Sequence, residues 1–368
     1  MNLTNYWWLL IWLFTGGAVM AFCFPRKREY VFGKVEERWS IVPAVLLILP
    51  YIIWAGNRGY FGDTGAYRRG FVESPNVIGQ ISEYMQTVTK DKGFYFVTAV
   101  IHCLFGNNSI AYFTLIAAFQ LLIVAFVCRK FSSNYWFSIF VFIASTDYLS
   151  WVQNGMRQFV AVTIIFAGTG FIVKKKYAKA VIMVLIASLF HQSALLMLPI
   201  IFVVQGKPWN KKTLLAIALS LLALVFASRF TTILDTALSD TQYTNVVSDW
   251  TLGNDDGTNP LRILVYAMPM ILSIIGREQI RRANNPLVNV GVNASIITTC
   301  IGLISMGTSG IFIGRLTIYV STISNWILLP WEIENVFDEN TGKLVMVAAV
   351  CCYILFFYYQ MHIAWEAI

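Results

Sequence analysis

The sequence has few charged residues, and this scarcity limits the structural classes to which the protein can belong. Only 12% of its 368 residues are Asp, Glu, Lys or Arg, whereas 57% are hydrophobic. A soluble domain carries about 25% charged residues. The apolar residues form long continuous runs, which excludes the ~10-residue alternating segments of a transmembrane β-barrel. We therefore predict an all-α, polytopic transmembrane helical bundle that forms one integral membrane domain over residues 1–368.

Motifs for soluble nucleotides and for metals are also missing from the sequence. It contains no GxxxxGK[ST] loop and no GxGxxG motif after a strand, so no phosphate-binding glycine loop is expected. Asp255 and Asp256 are adjacent and do not form a DxD pair that could hold a metal-bound nucleotide sugar. The six cysteines show no CxxC or Cys/His spacing, and we interpret them as apolar packing residues. We predict neither a metal site nor a cofactor.

The basic residues, which give a net charge of +8, indicate the topology. They cluster between apolar runs as cytoplasmic loops do, which argues against a nucleic-acid partner. We predict about ten crossings, with an interfacial helix within 70–92 and a re-entrant or interfacial helix at 93–105. A GT-C-like architecture is one candidate for the fold. The predicted membrane segments are 5–24, 40–55, 109–128, 134–151, 158–173, 180–204 (a helical hairpin broken near His191), 213–228, 261–275, 287–305, 310–330 and 344–361.

Nine basic residues lie outside the predicted cytoplasmic clusters, and seven of the nine are arginines. Arginine presents a planar fork of donors that suits phosphate, and it stays charged wherever it lies. We therefore expect an anionic ligand, most simply a phosphate or pyrophosphate, near some of them. The nine residues are Arg58, Arg68, Arg69, Lys90, Lys92, Arg157, Arg229, Arg262 and Arg315.

Three polar groups interrupt apolar runs. Asn154–Gln158 opens one run, His191 to Ser193 lies inside the next, and Arg315 follows the flexible stretch 307–310. Each such side chain costs several kcal/mol in hydrocarbon unless it has a partner or water. Arg157 and His191 are therefore functional candidates. The structural alternatives are an interfacial arginine, a histidine hydrogen-bonded inside the bundle, and, for Arg315, a salt bridge or carbonyl cap.

At these positions the chain resembles the EpsG family of Wzy-like exopolysaccharide polymerases. The likeness extends over about residues 50–330, and the segment from Met-Arg-Gln to His-Gln-Ser-Ala is its most specific part. The family more often reads Gly-Thr-Asp where this chain reads Gly-Asp-Thr, which leaves the role of Asp63 open. The matching motifs are Arg58 with Gly62-Asp63-Thr64 and Tyr67, Asn154-Gly-Met-Arg-Gln158, the lysines 174–176, Phe190-His-Gln-Ser-Ala194, and Arg315-Leu-x-x-Tyr319.

The resemblance implies a polymerase at the outer face of the bacterial plasma membrane. It would move a growing chain from undecaprenyl pyrophosphate onto the non-reducing end of a new lipid-linked repeat unit, with inversion. The donor, the acceptor and the lipid bilayer are then its partners, and the pathway's flippase and chain-length regulator are further candidates. The implied catalytic residues are His191 and Asp63, although an Asx turn is the commoner use of such an aspartate. The implied substrate-binding residues are Arg58, Tyr67, Arg68, Arg157, Gln158, Arg315 and Tyr319.

Three other functions remain open from the sequence. A ligase or glycosyltransferase that uses the same lipid-linked donor would recognise it in the same way. A flippase or transporter for a lipid-linked glycan usually shows internal repeats and broken helices at matching positions, and the two halves of this chain show no self-similarity. A scaffold subunit of an envelope complex would leave the predicted outer-face arginines without a purpose.

The charge pattern makes a testable prediction about orientation. We expect both termini outside, and the stretches of about 57–92 and 229–260 to be extracytoplasmic, because most basic residues then face the cytoplasm. A single cysteine introduced by Ser239→Cys should react with a membrane-impermeant maleimide in intact cells, with the unsubstituted protein as the blank. Labelling that requires permeabilised cells would reverse the orientation.

Overall fold

The computed structural model describes residues 6–31, 34–237 and 257–365. Helices dominate these residues, as predicted, and one short β-hairpin accompanies them. Ser239 and most of the predicted loop 229–260 lie outside the described residues. The chain divides into two compact units, described here one at a time. The first comprises the described residues of Met1–Gly170, Ala178–Leu195 and Lys343–Ile368, and the second those of Phe171–Tyr177 and Leu196–Gly342.

The first unit consists mainly of apolar helices. Two of its α-helices begin at asparagine N-caps: the side chains of Asn108 and Asn134 accept hydrogen bonds from the backbone N–H groups of Ala111 and Phe137. A π-helix, Tyr148–Asn154, comes after the helix that Asn134 caps. A second π-helix, Tyr359–Ala364, continues the last α-helix of the chain. Its helices are α1 (Trp7–Cys23), α2 (Ile41–Gly56), α3 (Thr64–Glu73), α4 (Ile81–Thr87), α5 (Lys92–Phe105), α6 (Ser109–Phe131), α7 (Tyr135–Ala144), α8 (Met156–Ala167), α10 (Tyr177–Ser188, beginning one residue before the unit) and α19 (Glu339–Tyr358, from Lys343 on).

Close helix approaches build the core of this unit. A Cβ on Gly56 would lie 1.9 Å from the Thr114 hydroxyl oxygen, so the backbone of α2 packs directly against the Thr114 side chain of α6. A Cβ on Gly17 would likewise lie 2.5 Å from the Trp136 ring, which brings α1 against α7. Every residue of α7 except Trp136 is buried. A helix that is apolar on all sides and buried on all sides is a core element.

The basic stretch after α1 forms a β-hairpin, which the sequence did not predict. Strands β1 (Lys27–Val31) and β2 (Lys34–Arg38) pair antiparallel, with Lys27 opposite Arg38. Arg38 is buried, pairs with Glu36 and donates to the Arg129 carbonyl oxygen at 2.9 Å. Arg129 in turn pairs with Glu29 and donates to the Trp39 carbonyl oxygen. Charged side chains on the inner face therefore attach the hairpin to the end of α6.

The second unit is organised around one long helix, α16 (Pro286–Met306), most of whose residues are buried. A Cβ on Gly291 would lie 2.9 Å from Leu328 Cβ, which indicates close packing there. The core contains Ile280, Val288, Val292, Ile296, Cys300 and Leu328. The other helices are α9 (Thr169–Val173, which starts at the end of the first unit), α11 (Met197–Val203), α12 (Lys211–Val225), α13 (Ala227–Ala237), α14 (Pro260–Ile275), α15 (Arg277–Ala283), α17 (Ile318–Ile323) and α18 (Leu329–Asn335).

The cysteines only partly follow the predicted packing role. All six are free thiols, and Cys128 and Cys300 are buried as packing residues should be. The side chains of Cys23, Cys351 and Cys352 are exposed on the surface of helices of the first unit. Exposed apolar side chains are expected where a helix faces lipid rather than protein.

Among the described residues, three helices are long and apolar enough to cross a membrane: Ser109–Phe131, Pro286–Met306 and Glu339–Ala364. The pair α14 and α15 adds a fourth if it is one span, although it bends by 76°. The count of about ten crossings stays a prediction, because several predicted segments are interrupted. The helix does break at 189–191, close to the predicted position, and a 3₁₀ helix follows at Gln192–Leu196. Whether the two parts form a hairpin stays a prediction.

Candidate functional site

Two of the sequence motifs, the one around Asp63 and the one that begins at Asn154, are in contact within the first unit. The backbone N–H of Asp63 donates to Asn154 Oδ1 at 2.9 Å, across 91 positions of the chain. The preceding residue, Gly62, has φ +48°, and a Cβ there would lie 2.3 Å from the same oxygen. Glycine is therefore required at position 62 both by the backbone conformation and by space. This contact brings the Gly-Asp-Thr turn to the π-helix that precedes Arg157.

A cavity of about 260 Å³ lies beside this contact. Four residues at i, i+3, i+4 and i+7 from position 63 line one wall, as one face of α3 and its N-terminus should. Residues of α5 and α6 form other parts of the cavity wall, and the side of the wall near the start of α8 is formed by Arg157. The lining residues are Asp63, Ala66, Tyr67, Gly70, Phe94, Tyr95, Thr98, Tyr112 and Arg157.

Arg157 is held at the cavity wall by a buried carboxylate. Its Nη1 donates to Asp91 Oδ2 at 2.9 Å and to the Tyr95 hydroxyl oxygen at 3.3 Å. Its backbone N–H donates to the Tyr67 hydroxyl oxygen at 3.5 Å, a weak contact. The Arg157 side chain is 28% exposed, whereas that of Asp91 is only 3% exposed. The ion pair therefore has its carboxylate inside the protein and part of its guanidinium at the cavity.

Asp91 was missed by the sequence reasoning. It has left-handed backbone geometry, with φ +51°, and directly precedes α5. Burial raises the pKa of its carboxyl group. Three neighbours partly lower this pKa again: Arg157, the backbone N–H of Gln192, and Lys90. An aspartate just before an apolar run signals a helix N-cap, but this side chain makes no capping hydrogen bond and pairs with Arg157 instead.

The turn that carries His191 lies next to Asp91. The backbone N–H of Gly93 donates to the Leu189 carbonyl oxygen at 2.8 Å, and the Gln192 N–H interacts with the Asp91 carboxylate. His191 is half-buried, with Nδ1 2.6 Å from the Ser193 hydroxyl oxygen. The two predicted candidates Arg157 and His191 are thus connected through Asp91, although His191 is not among the residues that line the cavity.

Arg58 supports the backbone rather than the cavity wall. It is buried and donates to the carbonyl oxygens of Ala55, Val152 and Gln153 at 2.7, 3.0 and 3.1 Å. Its guanidinium carbon lies 4.3 Å from the centre of the Phe113 ring. Burial lowers the pKa of Arg58 to about 10. These contacts fasten the end of α2 to the π-helix Tyr148–Asn154.

Of the remaining predicted residues, Tyr67 lines the cavity, and burial raises the pKa of its phenol while the charge of Arg157 opposes this. Arg68 lies over the Tyr60 ring at 5.1 Å, and Gln158 is buried; neither lines the cavity. Asp63 lines it with an exposed side chain.

Arg315 and Tyr319 belong to the second unit. Arg315 is half-buried in the 3₁₀ helix Gly314–Thr317, and Tyr319 is buried in α17. A Cβ on Gly314 would lie 2.4 Å from the Thr258 hydroxyl oxygen, which places the turn tightly against that residue. Within the described part of the chain, no group of three or more His, Cys, Asp or Glu side chains could hold a metal ion.

The contacts of Arg58 predict a stability effect. Arg58→Lys keeps the charge but loses the fork that reaches three carbonyl oxygens, so we expect a loss of about 1–3 kcal/mol. Thermal unfolding of the purified protein measures this, and Arg69→Lys, at an exposed position of α3, is the matched control. If Arg58→Lys were as stable as the parent but made no polymer, Arg58 would be a ligand-binding residue instead.

Comparison with known proteins identifies the family of this chain. No curated protein and no solved structure matches the chain. The model of the EpsG family matches residues 41–366, which is nearly the whole chain and includes the cavity, the His191 turn and Arg315. With the apolar helices, this match indicates a membrane protein of polysaccharide biosynthesis with a polymerase-type activity. The chain belongs to the EpsG family.

Proposed function

We propose that this protein joins undecaprenyl-pyrophosphate-linked repeat units into a polysaccharide at the outer face of the bacterial plasma membrane. One observation carries the proposal: a single cavity brings together Asp63, Tyr67 and Arg157 from two motifs of the family resemblance. A third motif, around His191, lies next to the same ion pair, because the Leu189 carbonyl oxygen accepts from the N–H of Gly93, two residues after Asp91. Residues that are far apart in sequence thus converge on one site.

The reaction is a direct displacement without a metal. A hydroxyl oxygen of the acceptor glycan forms a bond to the anomeric carbon of the growing chain. The bond from that carbon to the diphosphate oxygen breaks, which inverts the centre and leaves the lipid diphosphate. The hydroxyl proton goes to a base. Asp63 is the better-placed base because its carboxylate lines the cavity, and His191 is the second candidate.

The leaving diphosphate gains negative charge, so fixed cations should lower the barrier. The sequence nominates Arg157 and Arg315 for contacts with the donor, since both are arginines next to apolar runs, and both the sugar and the diphosphate of the donor can accept hydrogen bonds from arginine. Both substrates carry polyprenyl lipids and would reach the site from the bilayer. The predicted topology of about ten crossings, with the stretch 57–92 outside, places the cavity on the extracytoplasmic side. The flippase and the chain-length regulator of the same pathway are the proposed protein partners.

Mass analysis of lipid-linked glycans in a cell lacking this protein tests the function. We expect one repeat unit to accumulate on the lipid, because its consumption stops.

Arg157→Ala and Arg315→Ala should not restore polymer although the protein inserts normally. Lys at either position should restore it only partly, because the two-point fork is lost.

Other outcomes of this experiment favour the alternatives. Accumulation of finished polymer indicates a ligase or an exporter, and repeat units confined to the inner leaflet indicate a flippase. Full activity of both alanine variants makes the two arginines structural residues.

The base is tested by isosteric replacements. We expect Asp63→Asn to lower the rate per folded molecule by about 10²–10⁴, because the amide cannot accept the proton. His191→Gln keeps a hydrogen-bonding side chain near Ser193 and should cost less, since His191 does not line the cavity. Rates of polymer formation in membranes, normalised to inserted protein, measure both. A larger loss in His191→Gln than in Asp63→Asn assigns the base to His191.

A further inference from the structure

We propose that the cavity holds an uncharged sugar ring of the glycan, and that the lipid diphosphate binds outside it. This inference rests on the proposed function for the chemical class of its ligand. It assigns roles to residues that the sequence motifs do not include, namely Asp91, Phe94, Tyr95 and Tyr112.

The first argument is the charge of the cavity. Among the described residues that line it, Arg157 is the single cation and Asp63 the single carboxylate. Asp91 neutralises Arg157 at 2.9 Å, and its side chain is too buried to turn towards solvent. The cavity, together with the carboxylate behind Arg157, therefore has no net positive charge. Lys90 and Lys92 are exposed and do not line it.

A diphosphate would be a poor occupant of such a cavity. It brings at least two negative charges next to the carboxylate of Asp63, and like charges placed together at a binding site cost several kcal/mol. Arg157 could not offset this with its full charge, because Asp91 already compensates it. A neutral ligand meets no such repulsion, and it can still accept hydrogen bonds from the guanidinium.

The second argument is the composition of the walls. Four of the nine lining residues are aromatic, and three of these four are tyrosines that carry a hydroxyl group. The Tyr112 and Thr98 hydroxyl oxygens are 3.3 Å apart, and the Tyr95 hydroxyl accepts from Arg157. A sugar ring has apolar C–H faces and a rim of hydroxyls, which matches rings flanked by donors and acceptors. The volume of about 260 Å³ suits a small polar ring and is too small for a polyprenyl chain.

In this arrangement Asp91 is a positioning residue. It fixes the Arg157 guanidinium so that its exposed edge can donate to sugar hydroxyls, and it removes the attraction that the bare charge would exert on phosphate. The His191 turn adjoins the same segment, because the Leu189 carbonyl oxygen accepts from the backbone N–H of Gly93 at 2.8 Å.

Competition binding in nanodiscs tests the inference. The two probes are the oligosaccharide released from the cell's own lipid-linked repeat unit, and inorganic pyrophosphate. We expect the oligosaccharide to bind the unsubstituted protein and pyrophosphate not to displace it. Tyr95→Ala should weaken oligosaccharide binding by about tenfold or more. Tyr60→Ala, an exposed aromatic that does not line the cavity, is the matched control.

Asp91→Asn provides the decisive comparison. With the compensating charge removed and the side chain nearly unchanged in shape, pyrophosphate should begin to compete with the oligosaccharide. A thermal unfolding midpoint near that of the parent shows that the variant is folded; if it is not, pyrophosphate competition with the unsubstituted protein and with Arg157→Ala decides the inference. Pyrophosphate competition already present in the unsubstituted protein and lost in Arg157→Ala overturns the inference, as does an oligosaccharide that does not bind.

The failure of this inference differs from the failure of the proposed function. If repeat units accumulate in cells lacking the protein but pyrophosphate occupies the cavity, the enzyme is a polymerase with a diphosphate site here. If repeat units do not accumulate, the proposed function itself is wrong, whatever the cavity binds.

Discussion

The buried ion pair between Arg157 and Asp91 is the contact on which the cavity of the first unit depends. Three segments meet at it: the start of α8, the start of α5 and the turn at 189–193. The Asp91 side chain is only 3% exposed, so its carboxylate depends on Arg157 for compensation, whereas the guanidinium is 28% exposed and can be hydrated. The pair therefore fixes a cation beside the cavity and also fixes the segments that bear the other candidate residues.

The arginines of the first unit have different roles: some bind backbone oxygens inside the protein, and one lines the cavity. Arg58 satisfies three carbonyl oxygens where an α-helix ends near a π-helix, and Arg38 and Arg129 attach a hairpin to α6 through backbone and carboxylate oxygens. Arg157 alone among these four lines the cavity. The buried guanidinium groups of Arg38, Arg58 and Arg129 each donate to two or more oxygens, as the cost of burying a charge favours.

Much of the helical layout could be predicted, because an apolar run of fixed length between polar clusters constrains where a helix begins and ends. The bounds of α2, α5 and α16 lie within a few residues of those expected, and the helix breaks near His191 as predicted. The hairpin after α1 could not be predicted, since charges on both strands look like a solvated loop. Asp91 could not be recognised either: its importance comes from a partner 66 positions away.

The close approach of Gly62 to Asn154 determines which parts of the site can change during evolution. No side chain can be added at position 62 without displacing the asparagine, so this position has almost no freedom to vary. On the cavity wall formed by α5, Tyr95 is half-buried and contacts Arg157 through its hydroxyl group, so its side chain can change without a clash of the backbone. Differences in ligand preference between relatives should therefore arise at Tyr95 rather than at Gly62.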